Sequence, residues 1–115
     1  MSKPTNFQQR EIKFRAWDGE HMIHDIGIRS GMALHLDTGK MHDWPLMQYT
    51  GLKDKDGREI YEGDILTHID CVGVCTVVYG KCEFYAEGFD ELGYDLCAEC
   101  TVIGNIYENP ELTKL

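Results

Sequence analysis

The sequence predicts a mostly β fold whose C-terminal part curls into a small SH3-like barrel, preceded by an N-terminal β-hairpin region. Three observations predict it. Short runs rich in β-branched and aromatic residues recur, glycine turns separate them at intervals of ~8–12 residues, and no ten-residue stretch keeps a helical period. A chain of 115 residues is the size of one domain, able to bury roughly two-thirds of its unfolded surface without a crosslink or metal.

Residues 1–10 are polar, contain Pro4 and read as a loose arm. In the following run Ile12, Phe14 and Ala16 alternate with Lys13 and Arg15, the period of a half-buried strand. Asp18-Gly19 then predicts a tight hairpin turn, and an extended pattern resumes over His21–His24. A second hairpin joins Met32–Leu36 to Met41–Trp44 through Asp37-Thr38-Gly39-Lys40, and Pro45 stops it because proline offers no ladder donor. A third turn falls at Asp56-Gly57, and Gly63-Asp64 leads into a strand over Ile65–Ile69. The β-rich CTVVYG segment turns at Gly80-Lys81 into CEFYA. Glu87–Asp95 is acidic with two glycines and reads as an exposed loop. Cys100–Ile106 is the last strand, and Asn109-Pro110 opens a short helical turn by capping. The domain reading is therefore an arm (1–10) and one folded unit, with hairpins over 11–47 and the barrel core over 48–115, the barrel itself at about 48–109.

Charge and cysteines bound the function. Twenty acidic against eleven basic residues leave a net charge of −9, which disfavours nucleic acid, because phosphate contacts need a basic surface. No apolar run approaches the ~20 residues of a membrane span, and the N-terminus lacks the apolar core of a signal peptide. No membrane partner and a cytoplasmic address are expected. The five cysteines, with no export signal, read as reduced thiols.

The candidate sites are few. Cys97 and Cys100 have the spacing of half a zinc site, and Cys71 and Cys75, or Cys82, or one of the five histidines could supply the other half. In a strand, however, residues three apart point to opposite faces, and small buried thiols are the simpler account. No metal or other cofactor is expected. The KDKDGREIYEGD run is no calcium loop, since aligning its central glycine places Leu52 and Gly63 where carboxylates are required. Neither Ser2 nor Ser30 sits in a nucleophile elbow, and no glycine-rich phosphate loop opens a helix. Trp17, Trp44 and Tyr61 are the aromatic residues read as possible partner contacts, since Trp and Tyr anchor interfaces.

Three blocks in order carry a resemblance. The first is Phe14-Arg15-Ala16-Trp17-Asp18. The second runs from Met47 through Gln48-Tyr49-Thr50-Gly51-Leu52-Lys53-Asp54 and continues in Gly57-Arg58-Glu59-Ile60-Tyr61-Glu62-Gly63-Asp64-Ile65. The third is Val102–Leu112, VIGNIYENPEL. Over residues 11–112 the chain resembles the YopX family of phage and prophage proteins. The resemblance implies a mostly β fold containing an SH3-like barrel and an origin in a mobile or viral genome. It implies no activity and supplies no catalytic residues. The functional expectation is a small phage-encoded binding or assembly module in the cytoplasm of a bacterial host, without catalysis. It would engage a protein partner, and self-association through strand edges or aromatic patches fits such a module. The alternatives are an acidic regulator of a host or phage nucleic-acid-binding protein, or a small barrel that binds nucleic acid directly.

Overall fold

In the computed structural model the described residues are 11–69, 73–80, 83–87 and 93–114. Their strands are β1 (Phe14–Trp17), β2 (Met22–Arg29), β3 (Met32–His35), β4 (Met41–His42), β5 (Leu46–Lys53), β6 (Glu59–Tyr61), β7 (Asp64–His68), β8 (Cys75–Gly80), β9 (Glu83–Ala86) and β10 (Cys100–Asn105). One helical turn, α1 (Tyr94–Cys97), precedes β10, and a 3-10 turn at Pro110–Lys114 closes the chain. The strands make two antiparallel sheets, ordered β4-β3-β2-β1-β5-β6 and β10-β7-β8-β9. The mostly β expectation holds.

Local turn chemistry sets the hairpins. Asp18 Oδ1 accepts from the amides of Glu20 and His21 at 2.7 and 2.6 Å, so the β1–β2 turn is held by the aspartate beside its glycine. Ser30 and Gly31 both adopt positive φ (53° and 77°), which makes the β2–β3 connection a primed two-residue turn that the sequence reading missed. β2 runs on to Arg29 because of that turn. β5 was missed as well: it pairs with β1 through Arg15↔Met47 and with β6 through Tyr49↔Tyr61. The expected division at residue 48 thus lies inside a strand that belongs to both halves of the sequence. Part of the expected acidic loop is the helical turn α1, and residues 88–92 lie outside the described residues.

Each sheet contributes to a core. Ile60, Leu66, Val77, Ala86, Leu96, Cys97 and Cys100 form the larger cluster, between the β5–β6 hairpin and the four-stranded sheet. Ala16, Ile26 and Ala33 form a smaller one with Phe14, Ile23, Trp44 and Leu46 on one face of the six-stranded sheet. Backbone bonds cross between the sheets: Gly63 N donates to Val77 O at 2.8 Å and Lys55 N to Cys100 O at 3.0 Å. No helix among the described residues is long and apolar enough to cross a membrane.

Candidate functional site

The opposite face of the six-stranded sheet meets the four-stranded sheet, and charged and aromatic side chains gather at that junction. β1 places Arg15 and Trp17 on this face by its period of two, and Lys13, just before the strand, joins them. Arg15 and Asp64 form a buried ion pair at 2.7 Å, with side chains only 7% and 2% exposed. The guanidinium also lies 4.6 Å from the ring centre of Tyr61 and donates weakly to Glu62 O at 3.4 Å. The other oxygen of Asp64 accepts from Tyr61 N at 2.8 Å. Burial pushes the Asp64 carboxyl above its usual range, against the pull of Arg15 and of the Tyr61 amide. Arg15 Nε is buried without a hydrogen-bond partner.

Around this pair the contacts are those of a clamp. The Trp17 and Tyr107 rings stack with centroids 6.0 Å apart. Gly63 holds φ 88°, a conformation that strains any L side chain, and a Cβ there would lie 3.3 Å from Met47 Sδ and 3.6 Å from Ile106 Cγ1. Gly63 O accepts from Ile106 N at 2.9 Å. Asn105 Oδ1 then accepts from the amides of Tyr107 and Glu108 at 3.0 and 2.8 Å, turning the chain out of β10. Lys13 pairs with Glu59 and sits 4.9 Å over the Tyr49 ring, and Tyr49 and Tyr61 lie 5.4 Å apart. His24 rests edge-on against Tyr61, and burial together with Arg15 lowers its pKa.

A second clamp lies at the β5–β6 turn. Asp54 Oδ1 accepts from the amides of Asp56 and Arg58, both at 2.9 Å, and its Oδ2 from Val102 N at 2.9 Å. Burial acts to raise its pKa, but the amides of Val102, Arg58 and Asp56 outweigh burial and hold it below the usual value. The aspartate that opens the charged run is therefore a tie between hairpin and β10.

The aromatic residues read as partner contacts are not displayed together. Tyr61 is 4% exposed and belongs to the junction, which corrects its reading as a contact residue: the Arg15 guanidinium and the Tyr49 ring cover it. Trp17 is half-buried under Tyr107. Trp44 is half-buried too, with the His42 ring stacked on it at 3.8 Å and 1°. Of the candidate zinc ligands, Cys71 lies outside the described residues, while Cys75, Cys97 and Cys100 are buried in the larger core. Burial first, and then Cys100, Asp54 and Cys75, push the Cys97 thiol up to about 12. Among the described residues no group of three or more His, Cys, Asp or Glu side chains is placed to hold a metal. What the sequence reading missed is the Arg15–Asp64 pair; its signal was a strand arginine and a Gly-Asp step, both inside resembling blocks.

The YopX protein family model matches residues 23–114. The chain belongs to the YopX family. The crystal structure of protein EF1440 from Enterococcus faecalis is similar at TM-score 0.71 and 27% identity, covering 91% of this chain and 99% of that one. The structure of protein YopX from Bacillus subtilis matches at TM-score 0.59 and 24% identity, covering 87% and 96% of the two chains; it shares the fold. None of the curated proteins matches. The three blocks that carry the family resemblance supply Arg15 and Trp17, Met47 and Tyr49, Tyr61, Gly63 and Asp64, and Ile106 and Tyr107. These residues lie at the junction, where Lys13, His24 and Glu59 join them.

Proposed function

We propose that this YopX-family chain is a phage- or prophage-encoded binding or assembly module without catalytic activity, working in the cytoplasm of a bacterial host. The observation that carries the reading is the wing formed by β2, β3 and β4, which presents apolar side chains on both faces. Leu36 and Met41 are 56% and 46% exposed, and Ile28 is 45% exposed. Leu34 pairs with Met41, and Leu34 and Leu36 both reach over Gly27, so these leucines and Met41 share one face. Ile28 stands opposite Ala33 on the other face. Exposed apolar side chains on a sheet whose last strand, among the described residues, pairs on one edge only are the chemistry of an interaction site.

The groups most capable of reaction support a non-catalytic role, because each is occupied in holding the fold: Asp64 by Arg15, Asp54 by three amides, Cys97 by burial. The acidic balance of the chain fits a protein partner, or a second copy, better than nucleic acid. We also read the strands from β5 onward as an SH3-like barrel. The shared core of β5, β6 and the four-stranded sheet and the bonds from Gly63 to Val77 and from Lys55 to Cys100 favour it.

The test is crosslinking of the full chain in its bacterial host, comparing wild type with Leu36→Asp/Met41→Asp and scoring self-adducts as well as heterologous ones. The module reading expects at least one defined adduct that the double variant loses while its circular-dichroism spectrum is unchanged. An identical adduct pattern in both proteins, or none in either, would overturn it.

A further inference from the structure

We propose that the groove beside the bulge of β5 binds a small ligand bearing a carboxylate or phosphate group, held between the ammonium groups of Lys53 and Lys55. The groove is open to solvent, offers about 440 Å3 and is lined by Tyr49, Gly51, Lys53, Asp54, Lys55 and Ala98. That volume lies within the ~300–1,000 Å3 of small-molecule sites. The site deepens the module reading but uses a surface separate from the wing.

The strand is bent to make it. Pairing between β5 and β6 jumps from Tyr49↔Tyr61 to Lys53↔Glu59, so β5 carries two residues more than its partner over that interval. Thr50 absorbs the mismatch: its hydroxyl accepts from Leu52 N at 3.2 Å and donates to Ile60 O at 2.7 Å. Gly51 takes φ 89°, where a side chain would be strained, and so adds backbone but no bulk to the lining. Such bulges commonly re-aim a strand next to a binding site.

The two cations stand on fixed backbone and have little else to do. Lys53 is exposed and makes no ion pair among the described residues. Lys55 approaches Asp56 only at 3.9 Å, with both side chains exposed, a pairing of little energy. The Lys55 amide is tied to Cys100 O and its neighbour Asp54 to three amides, so the segment cannot swing away. Both oxygens of Asp54 face those amides and leave the lysines to an incoming anion. The net charge of −9 repels an extended polyanion at long range, whereas a compact anionic group needs only the short-range contacts.

The experiment titrates the full-length protein with inorganic phosphate and, separately, with glutarate, following amide resonances by NMR. Saturable shifts are expected at Gly51, Lys53, Lys55 and Ala98 with at least one probe. Phosphate alone would mark a phosphate-bearing ligand, and glutarate alone a carboxylate. Lys53→Glu/Lys55→Glu should raise the dissociation constant at least tenfold, Lys53→Ala severalfold, and Lys40→Glu, an exposed lysine elsewhere, less than twofold. The proposal falls if neither probe saturates, if shifts spread over all exposed lysines, or if the groove variants bind as the wild type does. Leu36→Asp/Met41→Asp should leave the titration unchanged, so loss of the wing's adducts and loss of ligand binding are separate results.

Discussion

Replacing Arg15 with methionine tests the junction most sharply. Methionine keeps the apolar stem but leaves the Asp64 carboxylate, 2% exposed, with only the Tyr61 amide at 2.8 Å. Removing one partner of a buried ion pair typically costs ~3–5 kcal/mol, because the remaining charge is left in a poor solvent. Some is returned, since the wild-type Arg15 Nε is itself buried without a partner and such an atom costs about 1–3 kcal/mol. With that return at its low end of about 1 kcal/mol, a net loss of about 2–4 kcal/mol is expected, read as a shift of the urea midpoint at constant slope. The loss should depend on pH. Burial already raises the Asp64 pKa, and without the opposing guanidinium it rises further. A carboxyl whose folded pKa exceeds its unfolded value of about 3.9 contributes fully only below that value, and the contribution disappears as pH rises through the folded pKa. Arg15→Met should therefore be more damaging at pH 8 than at pH 5. Adding Asp64→Asn, which keeps an acceptor for Tyr61 N and discards the charge, should restore part of the stability at pH 8. A cost below about 1 kcal/mol, a cost equal at both pH values, or a double variant no better than Arg15→Met would refute the reasoning.

Asp54→Ala should cost about 2–4 kcal/mol in urea unfolding, because it strips three amide donors of a charged acceptor. Asp54→Asn should flatten the acid limb of the stability profile. The folded Asp54 has a lowered pKa, so its contribution is complete above about pH 4 and is lost as pH falls through the folded value. Alkylation followed by mass spectrometry at pH 8 should leave Cys97 unmodified in the native protein and modify it in urea, since its thiol titrates only at about 12 and is 1% exposed; rapid native labelling would contradict that placement. Trp17→Leu and Tyr107→Leu should each lower stability by about 1–2 kcal/mol, and together by less than the sum, because one stacked pair is lost in both.

Hairpins whose signal is local were legible. Asp18-Gly19, Asp37–Lys40 and Asp56-Gly57 each announce a turn within four residues, and each turn is there. β5 was not legible: Pro45 precedes it, Gly51 interrupts it, and its partner β1 lies more than thirty residues earlier. For the same reason Lys13 and Arg15 read as a solvated face, although that face packs on the second sheet through Asp64, 49 residues on. Tyr61 was legible as important but not in its role. An aromatic residue in a family-specific block serves display or architecture equally well by sequence, and only the guanidinium 4.6 Å from its ring decides between them. The exposed apolar wing carries no motif, since Leu34, Leu36 and Met41 come together on one face only through the β2–β3–β4 pairing.

Native-state hydrogen exchange asks directly whether the family blocks build one clamp joining two sheets. The amides of Tyr61, Gly63 and Ile106, which bond to Asp64, Val77 and Gly63, report on that clamp. Val78 and Ile26 report on the two sheets away from it. If the clamp unites the fold, all five open with one common free energy near the global value, and Arg15→Met lowers them together. Opening of one sheet at a free energy several kcal/mol below the other, with the clamp amides among the first to exchange, would contradict it.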